Sequence, residues 1–351
     1  MHFSILITTD QRLFVADILP NLHALKKLDI KGEVLIATSH PFDTHSIPTQ
    51  INPKIKVKIV SIKSHARAIK RNVLLNHASG NVIIFWADDF KLTPSIIEAH
   101  LAFHHNHHAI TSICFGIGWI KYKSLYNNWL ERRGYLFGLP FKEKAHYEMK
   151  LCDFFYAGNT SIKKVLLKLS GPFDPSCHFD CTDDWLMWKK LKELGCEFFH
   201  LPSCDSEHNH NVLIEERFVA LIQSGWNYSN LKCHGHQPIG NLNKKIIQLQ
   251  RLINHTIENI RKANLHTLFL KIEDVGFHIG YHFNKKRIEP EKLYSSKNAF
   301  ETLNKIYRFD RNDFKIIENN IKNMRLLTLF KFYLYEKINL FKQRCLVLFN
   351  L

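Results

Sequence analysis

The first hundred residues alternate between short apolar runs and stretches of helical periodicity, and few folds accept that order. Phe3–Thr8 is an apolar run of strand character. Phe14–Leu28 carries apolar residues at Phe14, Ile18, Leu22 and Leu25, the spacing of one helix face. Val34–Ala37 reads as a strand, and Lys56–Ile62 alternates as one. Ala66–Ala78 is helical and ends ahead of Gly80, a natural stop. Val82–Trp86 is a strand again, and Thr93-Pro94 opens another helix, with proline in its first turn. Strand–helix–strand at this spacing predicts an α/β fold with a mixed, mostly parallel sheet flanked by helices. In open sheets of that kind, ligands bind in the crevice beyond the carboxyl ends of the strands. Asp88-Asp89 follows the Val82–Trp86 run directly and therefore falls in such a crevice.

The 351 residues, 45% of them hydrophobic, suffice for one large domain and a smaller one. A net charge of +16 calls for an acidic partner: nucleic acid, an anionic membrane surface or phosphorylated small molecules. A bland bias toward Lys and Asn explains the same charge. No nucleic-acid-binding motif and no regular aromatic–basic platform is present, so no nucleic-acid partner is expected. Met1–Asp10 reads as a first strand rather than a leader, and no run approaches the ~18 apolar residues of a membrane span. Eight cysteines, none in a C-x-x-C pair, predict reduced thiols in a cytoplasmic protein.

Beyond about residue 110 the alternation becomes irregular. Tyr122–Lys150 is rich in aromatic and basic residues and too long for a simple connection, so it reads as an active-site flap or an acceptor-facing insertion. Order returns at Phe154–Thr160, followed by an expected helix over Ile162–Leu169 and a turn at Gly171–Asp174. A second acidic pair, Asp183-Asp184, precedes an amphipathic helix over Trp185–Leu194, closed by Gly195. From about Gly235 the chain is mostly helical, with Ile246, Leu249, Ile253, Ile257 and Ile260 on one face. Two domains are expected, 1–235 and a helical extension over 236–351. The last segment, Leu326–Leu351, interleaves Phe330, Tyr333 and Phe341 with Lys331, Lys337, Lys342 and Arg344. It reads either as a packing face or as a dock for an anionic membrane surface.

Three stretches together resemble the family 2 glycosyltransferases of GT-A fold. Phe3–Thr9 is similar to that family's opening strand, which ends in a polar pair. Lys70-Arg71-Asn72, Ala78-Ser79-Gly80, Ile83–Trp86, Ala87-Asp88-Asp89 and Pro94 follow the order of its Ala-Arg-Asn, strand and Asp-x-Asp motifs. Ala157–Ser161, Gly171–Asp174, Thr182–Asp184, Leu191–Gly195, Pro202 and His208 follow its Gly-Asn-x-Ser, Gly-Gly-Phe-Asp, Glu-Asp and closing-histidine motifs. The resemblance covers roughly residues 3–235. It implies transfer of a sugar from a UDP-, GDP- or dTDP-sugar to a glycan or lipid-linked acceptor hydroxyl, with inversion, in surface glycan synthesis. Asp184, with Asp183 beside it, is then the general base. Asp89 and His208 hold a divalent metal, Mn2+ or Mg2+. Thr8, Thr9, Arg71, Asn72, Asp88 and Asn159 lie on the donor side.

The chain departs from that pattern at Ala87, where the first metal-motif aspartate is expected, and over Ala37–His40, which lacks the usual acid after the second strand. A catalytically silent scaffold of the same fold is the rival that Ala87 favours. In isolation, Asp183-Asp184 also reads as a helix cap with a first-turn acid, and Asp88-Asp89 as a solvated strand end. The run His104–His108 reads as imidazoles facing water at a helix end, not as a zinc site. Cys177, Cys181, Cys204 and His208 match no common zinc spacing.

Overall fold

A computed structural model describes residues 2–9, 14–39, 47–120, 124–132, 150–152, 155–179, 182–208, 212–230, 240–260 and 263–323. Most of the expected flap and all of Leu326–Leu351 lie outside these residues. The chain divides into two compact units, Met1–Tyr122 with Leu130–Asn211, and Lys123–Trp129 with Val212–Leu351.

The first unit carries β1 (Phe3–Thr9), α1 (Phe14–Ala24), β2 (Gly32–Thr38), β3 (Gln50–Asn52), β4 (Ile55–Ser61), α2 (Arg67–His77), β5 (Val82–Ala87), α3 (Pro94–Asn106), β6 (Ser112–Phe115) and β7 (Gly118–Ile120). After α4 (Leu125–Arg132), whose residues through Trp129 belong to the second unit, come β8 (Lys150–Cys152), β9 (Asn159–Lys163), α5 (Lys164–Ser170), α6 (Thr182–Glu193), β10 (Glu197–His200) and β11 (Ser206–His208). Nine strands form one sheet in the order β3-β4-β2-β1-β5-β9-β6-β10-β8, and β11 pairs with β7 beside it. β4, β2, β1 and β5 run parallel, and β6 and β10 run parallel to each other. β3, β9 and β8 are antiparallel to their neighbours. This is the mixed, mostly parallel sheet that the alternation predicts.

Every residue of β1 is buried, as expected of a central strand covered on both faces. Phe3, Ile5, Ile7, Val34, Ile36, Ile84 and Trp86 share one core with Ile18 and Leu22 of α1. Burial of such side chains contributes about 1.5–3 kcal/mol each. Thr93 caps α3 by accepting from Ile96 N, with Pro94 in the first turn. Gly80 has a reason other than stopping α2. A Cβ there would lie 2.4 Å from the Phe3 carbonyl carbon and 2.5 Å from Ser4 N, so only glycine lets the turn approach β1.

Two expectations shift. Ile162 belongs to β9, opposite Ile83, and the helix begins only at Lys164, because pairing with β5 carries the strand through Lys163. α6 starts at Thr182, so Asp183 and Asp184 lie in its first turn rather than ahead of it.

The second unit is helical: α7 (Ile214–Asn230), α8 (Leu242–Glu258), α9 (Leu265–Lys285), α10 (Ser296–Tyr307) and α11 (Arg311–Lys322). The Asn-rich composition has a use here, since Asn241 and Asn264 cap α8 and α9 by accepting from Lys244 N and Thr267 N. α7 and α9 meet nearly backbone to backbone. A Cβ on Gly280 would sit 1.8 Å from Ile222 O, and one on Gly225 would sit 2.0 Å from Phe277 O. That contact places α7 with the later helices, so the compact unit begins at Val212, whereas composition drew the boundary near 235. Phe218 stacks on Phe314 at 5.0 Å, with Phe300 and Phe309 around them. No helix among the described residues is long and apolar enough to cross a membrane.

Candidate active site

The parallel strands place their carboxyl ends together. Thr8 at the end of β1 registers with Ala87 of β5 and Ala37 of β2, so Thr8, Thr9 and the Ala87-Asp88-Asp89 turn share one edge. Thr8 and Thr9 are buried there. The Asp88 carboxyl is buried as well. Burial raises it to about 6, with Asp89 pushing the same way, against the pull of Arg67 and the Thr9 hydroxyl.

Asp89 turns toward β11, where its Oδ2 lies 2.8 Å from His208 Nε2. Since an ionised carboxylate only accepts, the His208 proton in this contact is on Nε2. The pairing is built by backbone contacts: Lys91 N donates to Glu207 O at 2.9 Å, and Phe90 bridges to His208 as an isolated antiparallel pair. Ser206 Oγ donates to Lys91 O at 2.7 Å. Asp205 holds the preceding corner through Ile117 N and His200 Nε2, both at 2.8 Å.

The second acidic pair is joined to α2. Arg71 Nη1 donates to Asp183 Oδ2 and, at 2.9 Å, to Asp184 Oδ1. Its guanidinium also reaches Ala157 O and lies over the Phe173 ring at 5.3 Å. Asp183 is buried, and its Oδ1 has no partner among the described residues. The Asp184 side chain keeps 14% exposure, so Asp184 is the carboxylate of the pair that faces outward. Gly158 O accepts from Ala87 N at 2.7 Å, which ties the loop under Arg71 to the Asp88-Asp89 turn.

The structure therefore sets Thr8 and Thr9 beside Asp88 and Asp89 at one sheet edge, Asp89 against His208, and Arg71 against Asp183 and Asp184, with the two acidic pairs tied through the Ala157-Gly158 loop. It places the remaining two expected residues in internal contacts. Asn72 makes a reciprocal pair with the Phe173 backbone, donating to its carbonyl at 2.8 Å and accepting from its N–H at 2.9 Å. Asn159 is fully buried, with Oδ1 2.9 Å from His100 Nε2 and Nδ2 donating to Cys204 O at 2.7 Å.

Two basic residues of the site were not anticipated from sequence. Arg67 acts on Asp88 electrostatically, and buried Lys70 donates to Thr9 O at 3.0 Å and to Ser39 Oγ at 3.3 Å. Arg67, Lys70 and Arg71 follow the i, i+3, i+4 spacing of one helix face, a signal present in the sequence. The His104–His108 run also differs from expectation, because His104 is buried and bonded to Ser161 Oγ at 2.9 Å while His105 and His108 are exposed.

For a divalent cation, Asp89 and His208 offer one oxygen and one nitrogen already facing each other, with Asp88 adjacent. This donor set suits a hard or borderline ion, and the imidazole suits Mn2+ better than Mg2+.

No family model matches the chain, and no curated protein matches it. Among solved structures it is similar to TarS 1-349 of S. aureus in complex with UDP-GlcNAc, at 14% identity over 92% of each chain with a TM-score of 0.45. It is similar also to the mannosyltransferase PcManGT of Pyrobaculum calidifontis in complex with GDP-Man and Mn2+, at 14% identity over 92% of this chain and 86% of that one, TM-score 0.43. A third is GalNAc-T7 with UDP, GalNAc and Mn2+, at 10% identity over 88% of this chain and 58% of that one, TM-score 0.45.

Proposed function

We propose that the chain is an inverting glycosyltransferase of GT-A type. It moves a sugar from a UDP-, GDP- or dTDP-sugar to a hydroxyl of a glycan or lipid-linked acceptor, in bacterial-type surface glycan synthesis such as lipopolysaccharide or capsule. One observation carries this reading: the two acidic pairs, distant in sequence, are joined through the Ala157-Gly158 loop, one pair meeting His208 and the other Arg71.

Each residue has a task in that chemistry. Asp184 accepts the proton of the acceptor hydroxyl as its oxygen bonds to the anomeric carbon and the bond from that carbon to the diphosphate oxygen breaks. A positioned base of this kind contributes about 10²–10⁴-fold. Arg71 holds the Asp184 carboxylate by a charge-assisted bond, and Asp183 holds Arg71 from beneath. Asp89 and His208 would hold Mn2+ or Mg2+, which when bound neutralises the leaving diphosphate. Thr8 and Thr9 line the nucleotide side, with Asp88 held between Thr9 and Arg67. Buried thiols not joined in disulfides, at Cys114, Cys196 and Cys204, suit a reducing cytoplasm, with action at the inner membrane face where a lipid-linked acceptor is presented.

Incubation of the full chain with a panel of nucleotide sugars and Mn2+, followed by mass spectrometry, tests the reading. Release of the nucleoside diphosphate from one donor, abolished by chelation, is the expected result. No hydrolysis or transfer from any donor would leave the fold a catalytically silent scaffold.

A further inference from the structure

His100 on α3, Cys114 on β6 and Cys204 at the end of the short 3-10 turn Pro202–Cys204 come together inside the first unit. All three are buried, and one ligand atom from each lies within 4.8 Å of the other two. The two Sγ atoms are 3.9 Å apart. A tetrahedral zinc with Zn–S bonds of ≈ 2.3 Å sets its sulfurs about 3.8 Å apart, so the thiols already have that spacing. A disulfide needs about 2.05 Å and would require both side chains to move.

The histidine is oriented for the same task. Asn159 Nδ2 donates to Cys204 O, which turns Oδ1 toward His100 Nε2. Oδ1 only accepts, so the ring proton of a neutral His100 sits on Nε2 and the lone pair is on Nδ1. Nδ1 points to Ser161 Oγ at 2.9 Å, and both His100 and Ser161 reach Cys114. A metal-binding histidine typically donates its second ring N–H to a fixed oxygen in this way. Ser161 is held from its other side by His104, whose Nδ1 has no partner among the described residues.

We propose that His100 Nδ1, Cys114 Sγ and Cys204 Sγ form a structural zinc site, with the Ser161 hydroxyl available as the oxygen donor at the fourth position. Charge favours zinc over a monovalent soft ion. Two thiolates and one Zn2+ sum to zero, whereas two thiolates and Cu+ leave a net charge in a dry interior, which is costly. The ion would tie α3, β6 and β9 to the turn that leads into β11, the strand that carries His208. The site is separate from Asp89 and His208 and does not depend on the proposed transferase activity.

The full chain, produced in zinc-supplemented medium and passed over a chelating resin, should retain stoichiometric zinc by elemental analysis. Cys114→Ala and Cys204→Ala should each lose it, while His105→Gln with His108→Gln, which removes the exposed imidazoles, should keep it. Protein produced with cobalt should show thiolate-to-cobalt absorption in the near ultraviolet that both cysteine variants lack. If the cysteine variants fail to fold, the wild-type chain still decides. Its Cys114 and Cys204 should resist alkylation until denaturant and chelator are both added. Wild-type protein without stoichiometric zinc, zinc persisting in a Cys114→Ala, Cys204→Ala double variant, or a disulfide between these cysteines in freshly purified protein would overturn the proposal.

Discussion

In the helical unit Arg217 meets Glu273 through two parallel bonds, Nε to Oε1 at 3.0 Å and Nη2 to Oε2 at 2.7 Å, and Tyr126 donates to Oε1 as well. Both carboxylate oxygens are bonded, which is the arrangement that lets a charge pair sit inside a protein. In the sheet unit Arg71 shares one nitrogen between two carboxylates, and Asp183 Oδ1 is left buried without a partner among the described residues. Nearby, the buried Asp88 carboxyl is driven up to about 6, first by burial. The helical unit uses charge to hold helices together. The sheet unit buries one carboxylate oxygen without a partner among the described residues and a second acid whose ionised form burial disfavours, an arrangement that stability alone does not select.

The largest expected effect separates the two pairs by activity. Asp184→Asn should lower turnover by at least ~10²-fold, since the amide cannot accept the acceptor proton, while donor binding and thermal midpoint stay close to the parent. Turnover within a few-fold of the parent would remove the base assignment. Next, Glu273→Gln should cost roughly 2–3 kcal/mol of stability in denaturant titrations, because Arg217 loses its bidentate partner. Arg217 is 19% exposed, and solvent screening holds the cost below that of a fully buried pair. Turnover per folded molecule should be unaffected. A neutral result would erase the contrast between the units.

Asp89→Ala should weaken Mn2+-dependent nucleotide binding by roughly tenfold or more, and Asp88→Ala by less, by calorimetric titration. Asp89 faces His208 directly whereas Asp88 faces Thr9 and Arg67. A larger loss in the Asp88 variant would reverse the two roles. The smallest effect is on stability and has a definite sign. The folded Asp88 pKa lies above its ordinary value, so the ionised form destabilises the fold. The penalty is absent below about pH 4, grows as pH rises through about 6, and is complete above that. With chelator present, Asp88→Asn should therefore raise stability at pH 8 by a fraction of the ~3 kcal/mol that a rise from 3.8 to about 6 represents, since the amide also loses the attraction to Arg67, and leave it unchanged near pH 4. A pH-independent difference would show that burial of Asp88 is not what the substitution relieves.

Much of this could be read along the chain. The runs Phe3–Thr8 and Val82–Trp86 have no alternation of polar residues, and only a strand covered on both faces permits that. The acidic pairs lie within three residues of element ends that local signals mark, the strand ending at Ala87 and the helix beginning at Thr182. Ile162 reads as helical because local sequence does not show that the polar stretch Asn159–Lys163 pairs with β5. Composition places the boundary near 235, whereas the close backbone approach at Gly225 and Gly280 groups α7 with the later helices.

The α/β class and the helical character of the second half are legible along the chain, and so is the position of each acidic pair beside an element end, since each depends on residues close together in sequence. Which polar groups meet depends on how the elements pack. Arg71 finds Asp183 and Asp184 more than a hundred positions away, and Asp89 finds His208. His100 and Cys114 find Cys204 across three elements, while the conspicuous histidine run divides between interior and solvent. Spacing along one helix or strand is set by backbone geometry that every residue carries, whereas contacts between elements depend on sheet order and register, which are fixed only when the whole core packs at once.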